Sequence, residues 1–297
     1  MKINFNDEVS GAAHFDTPIV ALESTVIAHG LPRPKNLETA HSLENIVRGG
    51  GATPATIALF GGEIYAGLTE KQIETLAASD SVRKISRRDI AIAVANKQTA
   101  ATTVASTAFI AHAAGIKIFA TGGIGGVHRG AAMDVSADLV ELARTPVVVV
   151  CSGAKSVLDL PKTREWLETY GITVLGWDCD ELPAFYSRKS GLDVDEKVTS
   201  AAEVAKVVAI RNDLGLTAAV LVVVPVPAEN ELPGPEVESL LQAAMKEASA
   251  AGIRGKAVTP YLLSKLAENS NGRTLAANIA LLENNARVAA EIATALD

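Results

Sequence analysis

Short apolar runs, most of them rich in Val and Ile, alternate with stretches of helical spacing, and this alternation constrains the fold more than any other feature. The runs are "IVALESTVIA" (19–28), "ATIALF" (55–60), "IKIFATG" (116–122), "PVVVVCS" (146–152), "ITVLGW" (172–177) and "AAVLVVV" (218–224). Near-continuous runs of this kind suit strands buried on both faces, so they predict a largely parallel sheet with helices covering it. Gly61-Gly62 predicts a hairpin from "ATIALF" into "EIYAGL". Helical patterns are read over "NLETAHSLENIVRGGG", "TEKQIETLAAS", "TTVASTAFIAHAAG", 136–144, 155–170, 199–213 and most of the last third. No repeat or linker divides the chain, which predicts one domain over 1–297.

Composition narrows the function classes. With 48% apolar and 21% charged residues among 297, a sizeable core can be buried. A net charge of −7 argues against a general nucleic-acid binder. The apolar runs are far too short to cross a bilayer, and the N-terminus lacks a signal-peptide pattern. Cys151 and Cys179 are too few for a disulfide framework or a zinc site. The expectation is a soluble, cytoplasmic protein with no nucleic-acid or membrane partner.

In an open α/β sheet, ligands gather beyond the C-terminal strand ends, so the residues after each strand matter most. "TGGIGGVHRG" (121–130) follows an apolar run and holds five glycines in ten residues. It matches neither a dinucleotide fingerprint, because His128 stands where the third glycine belongs, nor a phosphate-binding P-loop. Two readings stay open. The glycines supply a corner with several positive-φ residues, or they let backbone amides and His128-Arg129 approach a small anionic ligand.

Just beyond, Asp134 and Asp138 lie four apart around Ser136, a candidate N-cap. They either share a helix face and bind a hard cation, or cap the helix and favour its dipole. Only "AAM" separates "HRG" from "DVSAD". Lys155, in "VVVVCSGAKSVLDL", is expected to open the next helix. The helix dipole would favour a free amine there, able to attack a carbonyl; the alternative is a lysine snorkelling to solvent. Glu23 interrupts an apolar strand, where a carboxylate needs an arginine partner or a proton. The basic run "VRKISRRDI" is either surface charge or, with "TTVAST", part of a phosphate or base site. Asn278, Asn284 and Asn285 are either buried links or base-reading amides.

Taken together, "VALESTVIAHGLPRP", "GATPATIALFGG", "KISRRDI", "ATTVASTAFIAHAAGIKIFATGGIGGVHRG", "DVSADLVELA", "VVVVCSGAKSVLDLPKTREWLETYG" and "NIALLENNA" closely resemble the pseudouridine-5'-phosphate glycosidase, or indigoidine synthase A-like, family. The resemblance runs from about residue 18 to the end. It implies a three-layer α/β/α fold with a largely parallel or mixed central sheet, and a homotrimer. It also implies reversible cleavage of pseudouridine 5'-phosphate to uracil and ribose 5-phosphate through a lysine Schiff base, with one divalent ion per subunit, Mn²⁺ or possibly Mg²⁺. Carried over by motif, Lys155 corresponds to the nucleophile, Glu23 to the proton donor and Asp134 to the metal ligand. Lys84, Val104, Ser136, Ala137 and Asp138 correspond to substrate contacts, and His128 and Asn278 also fall in the pocket. A Schiff-base aldolase and a non-catalytic sugar-phosphate sensor are the competing readings.

Overall fold

A computed structural model describes residues 1–130, 134–253 and 258–296; the "AAM" connection at 131–133 lies outside the described residues. The first half of the chain contributes β1 (Ile3–Phe5), α1 (Asp7–His14), β2 (Ile19–Glu23), α2 (Lys35–Gly49), β3 (Thr53–Phe60), β4 (Glu63–Ala66) and α3 (Glu70–Ala78). Next come β5 (Arg83–Ile85), α4 (Ile90–Ala95), β6 (Ala100–Thr102), α5 (Val104–Ala113), β7 (Ile118–Ala120), α6 (Ala137–Leu142) and β8 (Val148–Cys151). The chain continues through α7 (Leu160–Thr169), β9 (Thr173–Trp177), β10 (Glu196–Val198), α8 (Ala201–Asp213) and β11 (Val220–Val223). It ends with α9 (Gly234–Ala250), α10 (Val258–Asn269) and α11 (Arg273–Ala295).

All the strands join one mixed sheet in the order β1-β4-β3-β2-β7-β8-β11-β9-β10, with β6 pairing both β3 and β5. Pairing is parallel except where β3 meets β4 and β6. The Gly61-Gly62 hairpin forms as expected, since β3 and β4 run antiparallel from Phe60↔Glu63. Every residue of β8 and β11 is fully buried, which requires cover on both faces. On one side α11 packs against α2, α8, β2, β7 and β8; separately, α5 packs against α6, β2 and β7. The fold is α/β with a mostly parallel central sheet, as the apolar runs imply.

Two elements differ from the sequence-based expectation, and both bear on the site. The strand read over 19–28 stops at Glu23 and gives way to a π-helical turn, Val26–Gly30. The reason lies in its neighbour. β2 pairs with β3 up to Glu23↔Ile57, and from Ala58 the same strand is taken by β6. Ser24 then caps the junction: its Oγ donates to the Ile57 carbonyl at 2.6 Å and accepts the Thr102 amide at 2.9 Å. The second difference is that the helix read over 155–170 begins only at Leu160. Asp159 is its N-cap, accepting the Lys162 amide at 3.1 Å, and Pro161 sits in the first turn.

Candidate active site

β2, β7 and β8 are parallel neighbours, so Glu23, the glycine segment after Ala120 and the "SGAK" segment after Cys151 emerge side by side at one rim of the sheet. Both loops prolong the sheet's pairing for a few residues. The Ser152 amide donates to the Gly122 carbonyl, the Ile124 amide to Gly153 and the Lys155 amide to Ile124, at 2.9, 3.0 and 3.1 Å. Lys155 therefore stands in a paired loop five residues before the helix starts. The helix-dipole argument for a free amine does not apply to it; position beside the cleft does.

The glycines prove necessary for contact rather than for unusual dihedrals. Of the five in 121–130, only Gly130 has a positive φ. A Cβ on Gly123 would lie 2.8 Å from the Phe185 ring, and one on Gly125 would overlap Ser136 and come within 2.7 Å of Asp138 Oδ2. The expectation of several positive-φ corners is thus corrected: the close approaches at Gly123 and Gly125 are to the protein's own Phe185, Ser136 and Asp138. From the other side, Asn285 on α11 donates to the Thr121 carbonyl at 2.8 Å and bonds the Ser152 hydroxyl. That makes Asn285 a buried link between both loops. Asn284 likewise serves structure, donating to the Pro225 carbonyl at 3.4 Å.

These elements enclose a cleft of about 480 Å³, and nine of the ten candidate residues line it: Glu23, Lys84, Val104, His128, Asp134, Ser136, Ala137, Asp138 and Lys155. The tenth, Asn278, lines an adjoining annex of about 60 Å³ that shares Glu23, Thr25, Lys84 and Lys155 with the cleft. Phe185, Leu263 and Leu282 give that annex apolar walls.

Among the described residues Glu23 has no arginine partner. Its buried carboxylate accepts the hydroxyls of Thr25 and Thr121, which fix both oxygens at the junction of cleft and annex. Asp134 and Asp138 also differ from the shared-face expectation, because α6 starts at Ala137 and Asp134 precedes it. Ser136 is the N-cap, as expected, accepting the Asp138 amide at 3.2 Å. Asp138 is buried, with Oδ1 accepting the Ala105 amide at 2.9 Å and Oδ2 the Gly125 amide at 2.8 Å. Asp134 is exposed on the cleft wall, and its carbonyl accepts the His128 amide at 2.9 Å.

The basic run divides. Arg83 is held by Gln98 and Asp89, and Arg87 grips buried Glu141 with both contacts at 2.8 Å while stacking on Phe109. Lys84 and Arg88 face the cleft. Arg129, expected to accompany His128 toward a ligand, instead pairs with Glu238 at 2.8 Å. Arg88, from the basic run, lines the cleft, and so do Trp166 and Tyr170, neither of them singled out by sequence. Thr25 and His29 line the annex; both lie in the "VALESTVIAHGLPRP" string without being singled out, and His29 owes its place to the π-helical turn.

Chemically, the arrangement offers an acid and an amine that line the same two cavities, further cations on the walls, and a narrow annex with apolar sides opening beside the wider cleft. The family model described as indigoidine synthase A like protein matches residues 8–295. A pseudouridine-5'-phosphate glycosidase of Solibacter usitatus is 52% identical, the alignment covering all of both chains. One of Caldanaerobacter subterraneus subsp. tengcongensis is 51% identical over 99% of this chain and 97% of its own. Among solved structures, an indigoidine synthase A-like protein from Thermotoga maritima superposes with a TM-score of 0.90 at 41% identity, covering 98% of this chain and 95% of that one. The prealnumycin C-glycosynthase AlnA, in complex with ribulose 5-phosphate, gives 0.91 at 39% identity, covering 99% and 96%.

Proposed function

The chain belongs to the indigoidine synthase A-like family, and on that footing we propose that it cleaves the carbon–carbon glycosidic bond of pseudouridine 5'-phosphate to give uracil and ribose 5-phosphate. One observation carries this reading most directly. Glu23 and Lys155 both line the wide polar cleft and the narrow apolar annex, so they stand where the two compartments meet. A sugar phosphate in the first compartment and a flat base in the second would place the connecting bond at an acid and an amine.

A carbon leaving group departs poorly, so two carboxylates in the manner of ordinary glycosidases do not suffice. In the proposed path the Lys155 amine bonds to C1' of the ribose as the ring oxygen leaves C1' and takes up a proton. Glu23 then delivers a proton to C5 of the uracil. The C1'–C5 electron pair goes to the base while the lysine nitrogen's lone pair forms the C=N bond to C1'. Water adds to this iminium, releasing the aldehyde form of ribose 5-phosphate and restoring the amine. One water is consumed overall. Lys84, Arg88 and the amides at the start of α5 supply positive charge and donors for the phosphate.

Among the described residues no group of three His, Cys, Asp or Glu side chains could enclose a metal ion. Asp134, a single exposed carboxylate on the cleft wall, fits a hard cation that keeps most of its waters and shares the substrate's phosphate. Mn²⁺, or Mg²⁺, held there would offset phosphate charge. The same reading includes a cytoplasmic homotrimer, which family membership supports.

A Schiff-base aldolase would use the same lysine, but the apolar annex beside it favours a substrate carrying a base. The deciding experiment is incubation of the protein with pseudouridine 5'-phosphate and Mn²⁺, following uracil by its absorbance. Absence of uracil at high enzyme concentration would remove this reading.

A further inference from the structure

The π-helical turn Val26–Gly30 follows Glu23 closely and carries His29 into the wall of the annex, together with Lys84, Lys155 and Asn278. The imidazole Nε2 is buried and has no hydrogen-bond partner among the described residues. A buried polar atom left without a partner is costly, and such an atom on a side chain that lines a cavity points to a partner that arrives from outside. π-Helical turns themselves recur at functional sites.

The protonation state of the ring defines what that partner must offer. The nearby Val82 backbone favours a proton on the imidazole, and because Nε2 is without a partner we place that proton on Nδ1. Burial first, and then the nearby Lys84 charge, hold the histidine below its ordinary value. The ring is thus neutral at pH 7, with Nδ1 carrying the proton and Nε2 presenting a lone pair. A lone pair requires an N–H or O–H donor. When uracil is placed with C5 toward Lys155, its remaining edge carries two ring N–H groups, N1–H and N3–H. A base with a bare ring nitrogen at that position would set lone pair against lone pair.

We propose that His29 reads the base: its Nε2 accepts one ring N–H of the uracil bound in the annex. This inference rests on the C-glycosidase reading above. It adds a specificity-determining residue, and it predicts that the enzyme distinguishes two methylated forms of its substrate. A methyl group on the N–H that faces His29 removes the donor and fills the acceptor's space, whereas a methyl group on the other nitrogen leaves that contact in place.

The test compares the full-length protein with His29→Phe, which keeps a ring and removes the acceptor, and His29→Gln, which restores an amide oxygen. Uracil and ribose 5-phosphate affinities are measured separately by calorimetry, and turnover is measured on pseudouridine 5'-phosphate and its N1-methyl and N3-methyl forms. We expect His29→Phe to weaken uracil binding about tenfold or more, to leave ribose 5-phosphate within about twofold, and to relax discrimination between the methylated substrates. His29→Gln should recover part of the uracil affinity. Ribose 5-phosphate binding doubles as the check that each variant is folded. If uracil affinity in His29→Phe equals wild type while wild type cleaves pseudouridine 5'-phosphate, the role given to His29 is wrong and the activity stands. Equal weakening for both products assigns His29 a merely structural part and overturns the inference as well. Should wild type neither bind uracil nor cleave the nucleotide, the functional reading falls with it.

Discussion

Asp138 Oδ2 accepts the Gly125 amide at 2.8 Å, so a single carboxylate fastens the glycine segment to the helix that Ser136 caps. Its other oxygen accepts the Ala105 amide at 2.9 Å and ties in α5 as well. Three elements that form one wall of the cleft thus meet at one side chain. Gly125→Ala would push a methyl group against Ser136 and Asp138. Overpacking of this kind costs about 1–3 kcal/mol, and the displaced wall should lower kcat at least about tenfold. Thermal melting beside steady-state kinetics checks both; unchanged kinetics would show that the wall tolerates displacement.

Glu23→Gln keeps the volume of the side chain and one oxygen for the Thr25 and Thr121 hydroxyls. The variant should fold and bind ribose 5-phosphate, yet lose about 100-fold or more in kcat, the usual scale for a general acid. Near-normal turnover would move the proton transfer to another group.

Lys155→Ala should abolish turnover without unfolding the protein, because the residue's backbone bond to Ile124 survives the change. Borohydride added with ribose 5-phosphate should leave a pentose phosphate on Lys155 in the wild-type protein, read by peptide mass spectrometry. A label on Lys84, the other lysine lining the cleft among the described residues, would reassign the nucleophile.

A chelator should stop turnover and added Mn²⁺ should restore it. Asp134→Asn ought to raise the Mn²⁺ concentration needed for half-maximal activity. Full activity in chelator would dismiss the ion from the proposal.

Neither cysteine takes part in the proposed chemistry, and their environments agree. Burial pushes the Cys151 thiol up to about 12 and the Cys179 thiol up to about 11. Because the thiolate is the reactive form, and its population grows only as pH rises toward those values, iodoacetamide at pH 8 should leave turnover intact. Both thiols should react once the protein is unfolded. Rapid inactivation of the folded protein would expose a thiol role that the geometry does not suggest.

Much of this architecture is readable from the chain because burial on both faces leaves a plain mark: "VVVVC" and "VLVVV" are adjacent interior strands of the sheet. Three-residue strands such as β5 and β6 leave no periodicity to read, yet β6 decides where β2 stops. The helix that contains Lys162 starts later than its composition suggests, because its start depends on the Asp159-Leu-Pro161 cap while the preceding residues look equally helical. At the site, residue types that carry chemistry were conspicuous: Glu23 in an apolar strand, Lys155 after one, Asp134 beside a cap. Their partners were less visible. Glu23 is satisfied by two threonine hydroxyls from separate segments, a solution that sequence spacing does not encode. His29 was hidden for the same reason, since a lone histidine gains meaning only from the cavity it enters.

Asn285, on α11, bonds both the glycine segment that follows β7 and the loop that carries Lys155. The two bonds reach back 164 and 133 residues in sequence, so the position of α11 is written into the floor of a cleft built by much earlier segments. A mutation that shifts this helix would therefore reach the reacting groups at a distance, through one amide.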